Sequence, residues 1–314
     1  GVQTCALPIL IPCYNSEKTI ESVIAEIENT VKTRGRDTYE IVLVNDCSKD
    51  NVWEKIKNIA RQNTHVKGIC FSKNFGQHSA LMAGYRKASG DIVVSLDDDG
   101  QTPADEVYSL IDKLEEGYDV VYASYEHKKH SVARNMGTKL NNYMCEVLLG
   151  KPKNLMITSF FAAKKYVIDE IIRYENSYTY VPGLVLRTTR NISSVPVCHR
   201  EREIGNSGYS FVKLVALWVN GFTAFSVTPL RVSMFMGMGS AVIGFIYLIY
   251  VVINKFINPS VPLGWSSTTA ILLLLGGMIL FVLGMIGEYL GRVYISLNNA
   301  PQYVVREETG DKDE

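Results

Sequence analysis

The first 125 residues alternate short apolar runs with stretches in which apolar positions recur every three to four residues. The apolar runs are rich in β-branched residues and predict buried strands, whereas the amphipathic stretches predict helices. The predicted strands cover residues 7–12, 40–44, 66–71, 91–96 and 119–123, and the predicted helices cover residues 17–33, 51–62, 77–88 and 103–116. This alternation predicts an α/β fold whose mostly parallel sheet is covered by helices on both faces.

Beyond this region the pattern is less regular. Residues 131–149 predict another helix, residues 157–174 a strand and a helix, and residues 179–198 further short elements. Residues 210–225 predict a helix with one apolar face, formed by Phe211, Leu214, Val215, Trp218, Val219 and Phe222. We expect this helix to lie on a membrane surface, and a core helix is the alternative.

Two later segments, residues 232–254 and 265–287, contain no charged side chain. Each is long enough to cross a hydrocarbon core of roughly 30 Å, which takes about 20 helical residues. Two such segments joined by a Pro- and Asn-bearing loop disfavour the alternative of buried core helices. Arg231 precedes the first segment and Arg292 follows the second, while the connection holds only Lys255. This weak positive-inside bias places both ends, and hence the N-terminal domain, in the cytoplasm.

The composition of the chain excludes several classes of protein. The chain has 314 residues, with 32 Lys and Arg against 32 Asp and Glu, and 47% hydrophobic residues. These values exclude a disordered chain or a small disulfide scaffold, and the absence of a basic excess argues against a nucleic-acid partner. The six cysteines show no metal-ligand spacing and are expected to be core thiols. The opening residues 1–4 do not look like a signal peptide, and the first strand is expected to lack its leading residues.

Acidic residues follow one predicted strand directly: Asp97, Asp98 and Asp99 are consecutive. Three adjacent carboxylates repel one another, and a divalent cation would remove that conflict. In an extended segment Asp97 and Asp99 point the same way, so this pair can chelate a metal together. A solvated acidic turn before the helix that starts near Pro103 is the alternative.

Asp46 occupies a comparable position just after the strand at residues 40–44. Ligands of parallel α/β sheets bind at the carboxyl ends of the strands, so this side chain is placed to hydrogen-bond a base or a ribose. An ordinary turn residue is the alternative.

Four motifs taken together resemble the family 2 glycosyltransferases with the GT-A fold. They are Pro12-Cys13-Tyr14-Asn15, Asn45-Asp46-Cys47-Ser48-Lys49-Asp50, Asn74-Phe75-Gly76-Gln77 and Asp97-Asp98-Asp99-Gly100-Gln101. Within that family the chain resembles the polyprenyl-phosphate glycosyltransferases, relatives of dolichol-phosphate mannose synthase. Residues 72–84, 199–211 and 287–294 are similar to undecaprenyl-phosphate aminoarabinose and glucose transferases, and the resemblance runs from about residue 9 to residue 305.

The resemblance implies roles for individual residues. A nucleotide sugar would contact Pro12, Tyr14, Asn15, Glu17, Asp46, Ser48, Asp98 and Gln101. Asp97 and Asp99 correspond to the pair that binds Mg²⁺ or Mn²⁺, and Arg202 to a catalytic cation near the phosphates. The acceptor phosphate would contact Arg134, Lys139, Arg200, Ser207 and Tyr209. A solvated helix face is the alternative for Arg134 and Lys139.

The chain also departs from the family pattern. The segment of residues 156–162 has no acid where the family commonly carries one, which puts a general base there in doubt. A phosphate monoester with a second pKa near ~6 is already largely ionised at neutral pH, so it needs no base to remove a proton. The run of residues 205–209 lacks the usual Glu and Lys, and Ala300-Pro301 replaces the common Arg-Pro.

We therefore predict inverting transfer of a sugar, most consistent with a UDP-sugar, to a polyprenyl (undecaprenyl) phosphate for cell-envelope glycan or lipid modification. The predicted organisation is a cytoplasmic catalytic domain at 1–208, an interfacial helix and link at 209–230, two spans at about 232–254 and 266–288 within 231–294, and a cytoplasmic tail at 295–314. The enzyme would reside in the bacterial inner membrane, and the resemblance allows a homo-oligomer. The alternatives are a processive polysaccharide synthase and a catalytically inactive membrane adaptor.

Overall fold

The computed structural model describes residues 6–35, 38–125, 146, 150–153, 155–198, 228–258, 264–298 and 300–310. The chain forms two units. The first comprises residues 1–218 together with residues 300–314, and the second comprises residues 219–299.

The first unit is built on an eight-stranded sheet with the order β7-β5-β6-β4-β1-β2-β3-β8. The strands are β1 Leu7–Cys13, β2 Tyr39–Asn45, β3 Val66–Phe71, β4 Ile92–Ser95, β5 Val120–Tyr125, β6 Phe161–Lys164, β7 Ile192–Val197 and β8 Val305–Thr309. β6 runs antiparallel to β4 and β5, and β8 runs antiparallel to β3, while the other neighbouring pairs are parallel. The predicted mostly parallel α/β fold is confirmed.

Helices connect these strands, and their apolar positions follow the helical period. They are α1 Ile20–Thr33, α2 Val52–Gln62, α3 Gln77–Lys87, α4 Val107–Glu115, α5 Lys165–Ile172 and α6 Val181–Thr188. In α1 the buried side chains are Ile20, Val23, Ile24, Ile27 and Val31, a single stripe facing the sheet. The stretch predicted as one helix from Pro103 instead has an extended residue at Pro103, a 3₁₀ turn at Ala104–Glu106 and then α4.

The pairing register of β1 and β2 brings the carboxyl ends of these two strands side by side. β1 and β2 pair from Leu7 with Tyr39 to Cys13 with Asn45, so both strands end at the same level. Helix α3 lies close over β1, because a Cβ at Gly84 would come within 2.4 Å of the Leu10 side chain. Glycine at this position therefore sets the height of α3 above the sheet.

Strand β8 was not expected from the sequence, which predicted only a tail over residues 295–314. Gly68 of β3 pairs with Thr309, and the Ser72 N–H donates to the Val304 carbonyl at 2.9 Å. The segment that follows the last long helix thus completes the sheet of the first unit.

The second unit contains two long helices, α7 Thr228–Ile257 and α8 Trp265–Leu297. Both are long and apolar enough to cross a membrane, with apolar windows at Leu230–Tyr247 and Leu274–Ile295. Large apolar side chains on them are exposed, for example Phe245 at 64% and Leu280 at 71%. The helices coincide with the two predicted spans and extend beyond them. The helices predicted at 131–149 and 210–225 lie outside the described residues, apart from Glu146.

Candidate active site

Three loops meet at the carboxyl ends of β1, β2 and β4, where the sequence predicted the site. The Asn15 N–H donates to Ser48 Oγ at 3.0 Å, and the Lys49 N–H donates to Asn15 Oδ1 at 3.0 Å. The Tyr14 N–H donates to Asp98 Oδ2 at 2.9 Å. These backbone contacts hold the loops after β1, β2 and β4 against one another.

Other residues predicted to contact the nucleotide sugar also connect the loops after β1 and β2. The Glu17 N–H donates to Asp50 Oδ2 at 2.8 Å, and Glu17 Oε2 accepts the Asn51 N–H at 3.2 Å. Pro12 is partly buried in β1, whereas the ring of Tyr14 is 48% exposed. An exposed aromatic ring beside a hydrogen-bonded loop offers a flat surface on which a planar ligand could stack.

Asp46 is buried and organises a neighbouring loop. Its Oδ1 accepts the Phe75 N–H at 2.7 Å and its Oδ2 accepts the Gly76 N–H at 2.8 Å. Gly76 has φ +89, in the region that favours glycine. Burial raises the pKa of Asp46, and the two N–H donors oppose that rise. The carboxylate therefore fixes the loop that leads into α3.

The three consecutive carboxylates face different partners. Asp97 accepts hydrogen bonds from Ser159 Oγ and, at 3.2 Å, from Gln77 Nε2. Asp98 faces the β1 loop through Tyr14, and Asp99 Oδ1 accepts the Gln101 N–H at 3.0 Å. Asp97 and Asp98 thus contact different parts of the chain, and the expected extended geometry is not found, because Asp98 and Asp99 lie in a bend after the end of β4.

The electrostatics of this group fit a divalent cation. Burial raises the pKa of Asp97 to about 6, and repulsion from Asp99 and then from Asp98 adds to the rise. Among the described residues, no three His, Cys, Asp or Glu side chains converge on one point as metal ligands. Asp97 and Asp99 could supply two carboxylate ligands, and Mg²⁺ is typically bound by one or two carboxylates together with phosphate oxygens and water.

Three residues that the sequence reasoning missed lie at the carboxylates: Gln77, Ser159 and Tyr125. Burial raises the pKa of Tyr125 to about 12, and the nearby charges of Asp97 and Asp99 add to the rise. Nothing local in the sequence marks Ser159, because its partner Asp97 is 62 positions away.

The remaining predicted residues lie outside the described part of the chain. These are the cations and polar groups assigned to phosphate binding and catalysis, namely Arg134, Lys139, Arg200, Arg202, Ser207 and Tyr209. Their roles stay predictions.

Sequence models of known families match parts of both units. The sequence model described as "Glycosyl transferase family 2" matches residues 9–172, which include β1 to β6 and the three loops of the site. The model described as "GtrB C-terminal hairpin" matches residues 228–293, which include α7 and most of α8.

Curated relatives extend over nearly the whole chain. The undecaprenyl-phosphate 4-deoxy-4-formamido-L-arabinose transferase of Klebsiella pneumoniae (strain 342) is 32% identical over 98% of this chain and 96% of its own length. The transferase of the same name from Proteus mirabilis (strain HI4320) is 32% identical over 97% of this chain and 94% of its own length.

Solved structures support the fold. Glucosyl-3-phosphoglycerate synthase from Mycobacterium tuberculosis with bound UDP superposes with a TM-score of 0.51 at 20% identity, covering 70% of this chain and 79% of its own. The same enzyme has been crystallised with Mn²⁺, UDP-glucose and phosphoglyceric acid, with a TM-score of 0.50 and coverage of 70% and 78%. Mannosyl-3-phosphoglycerate synthase from Rubrobacter xylanophilus gives 0.52 at 14% identity, covering 70% and 73%.

Proposed function

Because the chain belongs to glycosyltransferase family 2, we propose that it transfers a sugar from a UDP-sugar to the phosphate of a polyprenyl phosphate, with inversion at the anomeric carbon. The observation that carries this proposal is the meeting of the Tyr14, Asp46 and Asp97 loops at one sheet edge, in a chain that also has two membrane-length helices. The first donor to test is UDP-4-deoxy-4-formamido-L-arabinose, because the curated relatives are named for that sugar.

The chemistry is a single displacement. An oxygen of the carrier phosphate forms a bond to the anomeric carbon, while the bond from that carbon to the β-phosphate oxygen of UDP breaks and UDP leaves with the electron pair. The carrier phosphate is already ionised near neutral pH, since its second pKa is about 6. No proton has to be removed, so the absence of an acid at Ser159 is compatible with the reaction.

The residues of the three loops would bind and orient the donor. Asp97 and Asp99 would hold Mg²⁺ or Mn²⁺, which when bound neutralises charge on the leaving diphosphate. Tyr14, Asn15, Glu17, Ser48, Asp98 and Gln101 would shape the nucleotide pocket, with Tyr14 stacking on the base. The proposed phosphate contacts from Arg134, Lys139, Arg200, Ser207 and Tyr209, and the catalytic role of Arg202, lie outside the described residues.

The connectivity of the chain supports a membrane arrangement in which both ends of the helical hairpin lie on one side. The chain leaves the first unit before α7 and rejoins its sheet as β8 after α8. A hairpin that spans the membrane twice returns to the side where it started. We propose that this side is the cytoplasmic face of the inner membrane, because Arg231 and Arg292 flank the hairpin on that side.

The test uses the purified full chain in nanodiscs containing undecaprenyl phosphate, with Mn²⁺ and a panel of labelled UDP-sugars. We expect one donor to give a labelled lipid from which mild acid releases the labelled sugar, and we expect Asp97→Asn and Asp99→Asn to lower its formation about 100-fold or more. The matched control is Asp112→Asn, since Asp112 is an exposed carboxylate in α4 paired with Arg34 at 3.4 Å. Failure of every donor would contradict the proposal and favour the inactive adaptor. Wild-type rates in both acidic variants would contradict the metal assignment.

A further inference from the structure

Both oxygens of the Asp97 carboxylate are held by donors from distant parts of the chain. Ser159 Oγ donates to Oδ2, and Gln77 Nε2 donates to Oδ1 at 3.2 Å. Ser159 precedes β6, whereas Gln77 is the first residue of α3. The carboxylate therefore lies between the side chains of two residues that belong to different elements of the fold.

The backbone around Ser159 is fixed by its neighbours. Thr158 Oγ1 donates to the Ala123 carbonyl at 2.9 Å, and the Ala123 N–H donates to the Phe160 carbonyl at 2.9 Å. Phe160 is fully buried, and Phe161 pairs with Ser95 at the end of β4. Ser159 is thus placed beside Asp97 by strand pairing and core packing, so its hydroxyl needs little reorganisation to reach the carboxylate.

Gln77 is fixed from the opposite side. The Asp46 carboxylate binds the N–H groups of Phe75 and Gly76, the two residues directly before Gln77. This contact sets where α3 begins and therefore where the Gln77 amide lies. The buried carboxylate of Asp46 and the half-buried carboxylate of Asp97 are therefore connected through one short loop.

We propose that Ser159 and Gln77 are positioning residues that hold Asp97 in the orientation in which it binds the divalent cation. This inference rests on the proposed function. A metal-ligating carboxylate is commonly oriented by hydrogen bonds from outer side chains, and loss of such a partner typically weakens metal affinity roughly 10–100-fold. Each carboxylate oxygen has two lone pairs, so it can accept one of these hydrogen bonds and still coordinate a metal. Ser159 thus takes part in the site as a donor, at a place where the chain has no acid.

The test measures Mn²⁺ binding to the detergent-purified full chain by electron paramagnetic resonance of the free ion, with and without UDP. We expect Ser159→Ala to raise the apparent Kd for Mn²⁺ about 10-fold and Gln77→Leu to raise it by a similar factor. Ser159→Thr keeps the hydroxyl and should stay within about 2-fold of wild type. Ser109→Ala is the matched control, because Ser109 in α4 likewise donates its hydroxyl to a carboxylate, Glu106 Oε2, at 2.6 Å. Melting temperatures verify that the variants fold.

The outcomes separate the two proposals. An unchanged Kd for Mn²⁺ in folded Ser159→Ala would overturn the positioning role, and so would a Ser159→Thr variant as weak as Ser159→Ala. If the wild type binds Mn²⁺ with equal affinity with and without UDP, the choice of UDP as donor fails, while the comparison between variants still tests Ser159 and Gln77. If the wild type binds no Mn²⁺ in either condition, the metal assignment and the positioning role both fail, whereas sugar transfer itself is decided by the product assay.

Discussion

The indole N–H of Trp53 donates a hydrogen bond to the carboxylate of Glu307 at 2.8 Å, across 254 positions of sequence. Trp53 lies in α2 of the first unit, and Glu307 lies in β8, after the membrane-length helices. The ammonium of Lys87 pairs with Glu308 at 2.6 Å, next to this contact along β8. The last strand is therefore bound to the sheet and to the helices that cover it, and it forms part of the catalytic domain.

We expect Glu307→Ala to destabilise the first unit by about 0.5–1.5 kcal/mol, because the partly buried hydrogen bond from the Trp53 indole would be lost. The measurement is the shift of the melting temperature of the purified chain. Glu307→Gln is the control, since its amide oxygen still accepts the hydrogen bond and a smaller shift is expected. Deletion of residues 304–314 should lower the melting temperature further. A truncated chain as stable as wild type would contradict the role of β8.

The close approach of α3 to β1 leads us to predict that a side chain at position 84 destabilises the first unit. A Cβ at position 84 would lie 2.4 Å from Leu10 Cδ2, so Gly84→Ala must displace α3 or distort Leu10. Overpacking of this kind costs about 1–3 kcal/mol. Because α3 carries Gln77, the same variant should also weaken Mn²⁺ binding.

A double-mutant cycle tests the steric cause. Leu10→Ala removes the atoms that the new Cβ would meet, so the combined Gly84→Ala and Leu10→Ala variant should be more stable than the sum of the two single effects predicts. Simple additivity of the two unfolding free energies would argue against the contact as the source of the strain.

Much of the first unit could be predicted because its signals are local. β1 to β5 are apolar runs bounded by turn residues, and the acidic and amide residues at their ends are visible in the sequence. The loops carrying Tyr14, Asp46 and Asp98 do lie together, since the ends of parallel strands meet at one edge of the sheet.

The other features depend on contacts between distant positions. β8 has the sequence VREET, whose charged and mostly exposed side chains give no apolar alternation, so only its pairing with β3 makes it a strand. Ser159 resembles any loop serine until β6 pairs with β4 and brings it to Asp97. The hydrogen bonds from the Phe75 and Gly76 N–H groups to Asp46 could not be predicted either. Every residue except proline carries a backbone N–H, so the sequence does not show which of them bind the carboxylate.

Asp46→Asn tests whether this side chain has a structural role apart from nucleotide binding. An amide presents one acceptor oxygen and one donor NH₂ group, so one of the N–H groups of Phe75 and Gly76 would lose its acceptor. We expect a loss of about 1–3 kcal/mol in the free energy of unfolding in the absence of any nucleotide. Unchanged stability without nucleotide, together with weaker UDP binding, would assign Asp46 to the ligand alone.

His78, next to Gln77 in α3, predicts a pH effect. Its ring packs edge-on against Tyr180, with centroids 5.2 Å apart, and its buried Nδ1 has no hydrogen-bond partner among the described residues. Burial lowers the pKa of His78 from 6.5 to about 4. Between these two values the unfolded chain binds a proton at this residue and the folded chain does not, so protonation favours unfolding as the pH falls below about 6.5.

From pH 7.5 to pH 5.5 this linkage removes about 1 kcal/mol of stability in the wild type, and His78→Asn should abolish that part of the loss. Melting temperatures of both proteins at the two pH values measure the effect, and the drop in the variant should be smaller by about 2–4 °C. Replacement of His65, an exposed histidine stacked on Tyr39, is the control and should leave the wild-type drop largely intact. Equal drops in wild type and His78→Asn would mean that His78 titrates normally in the folded protein.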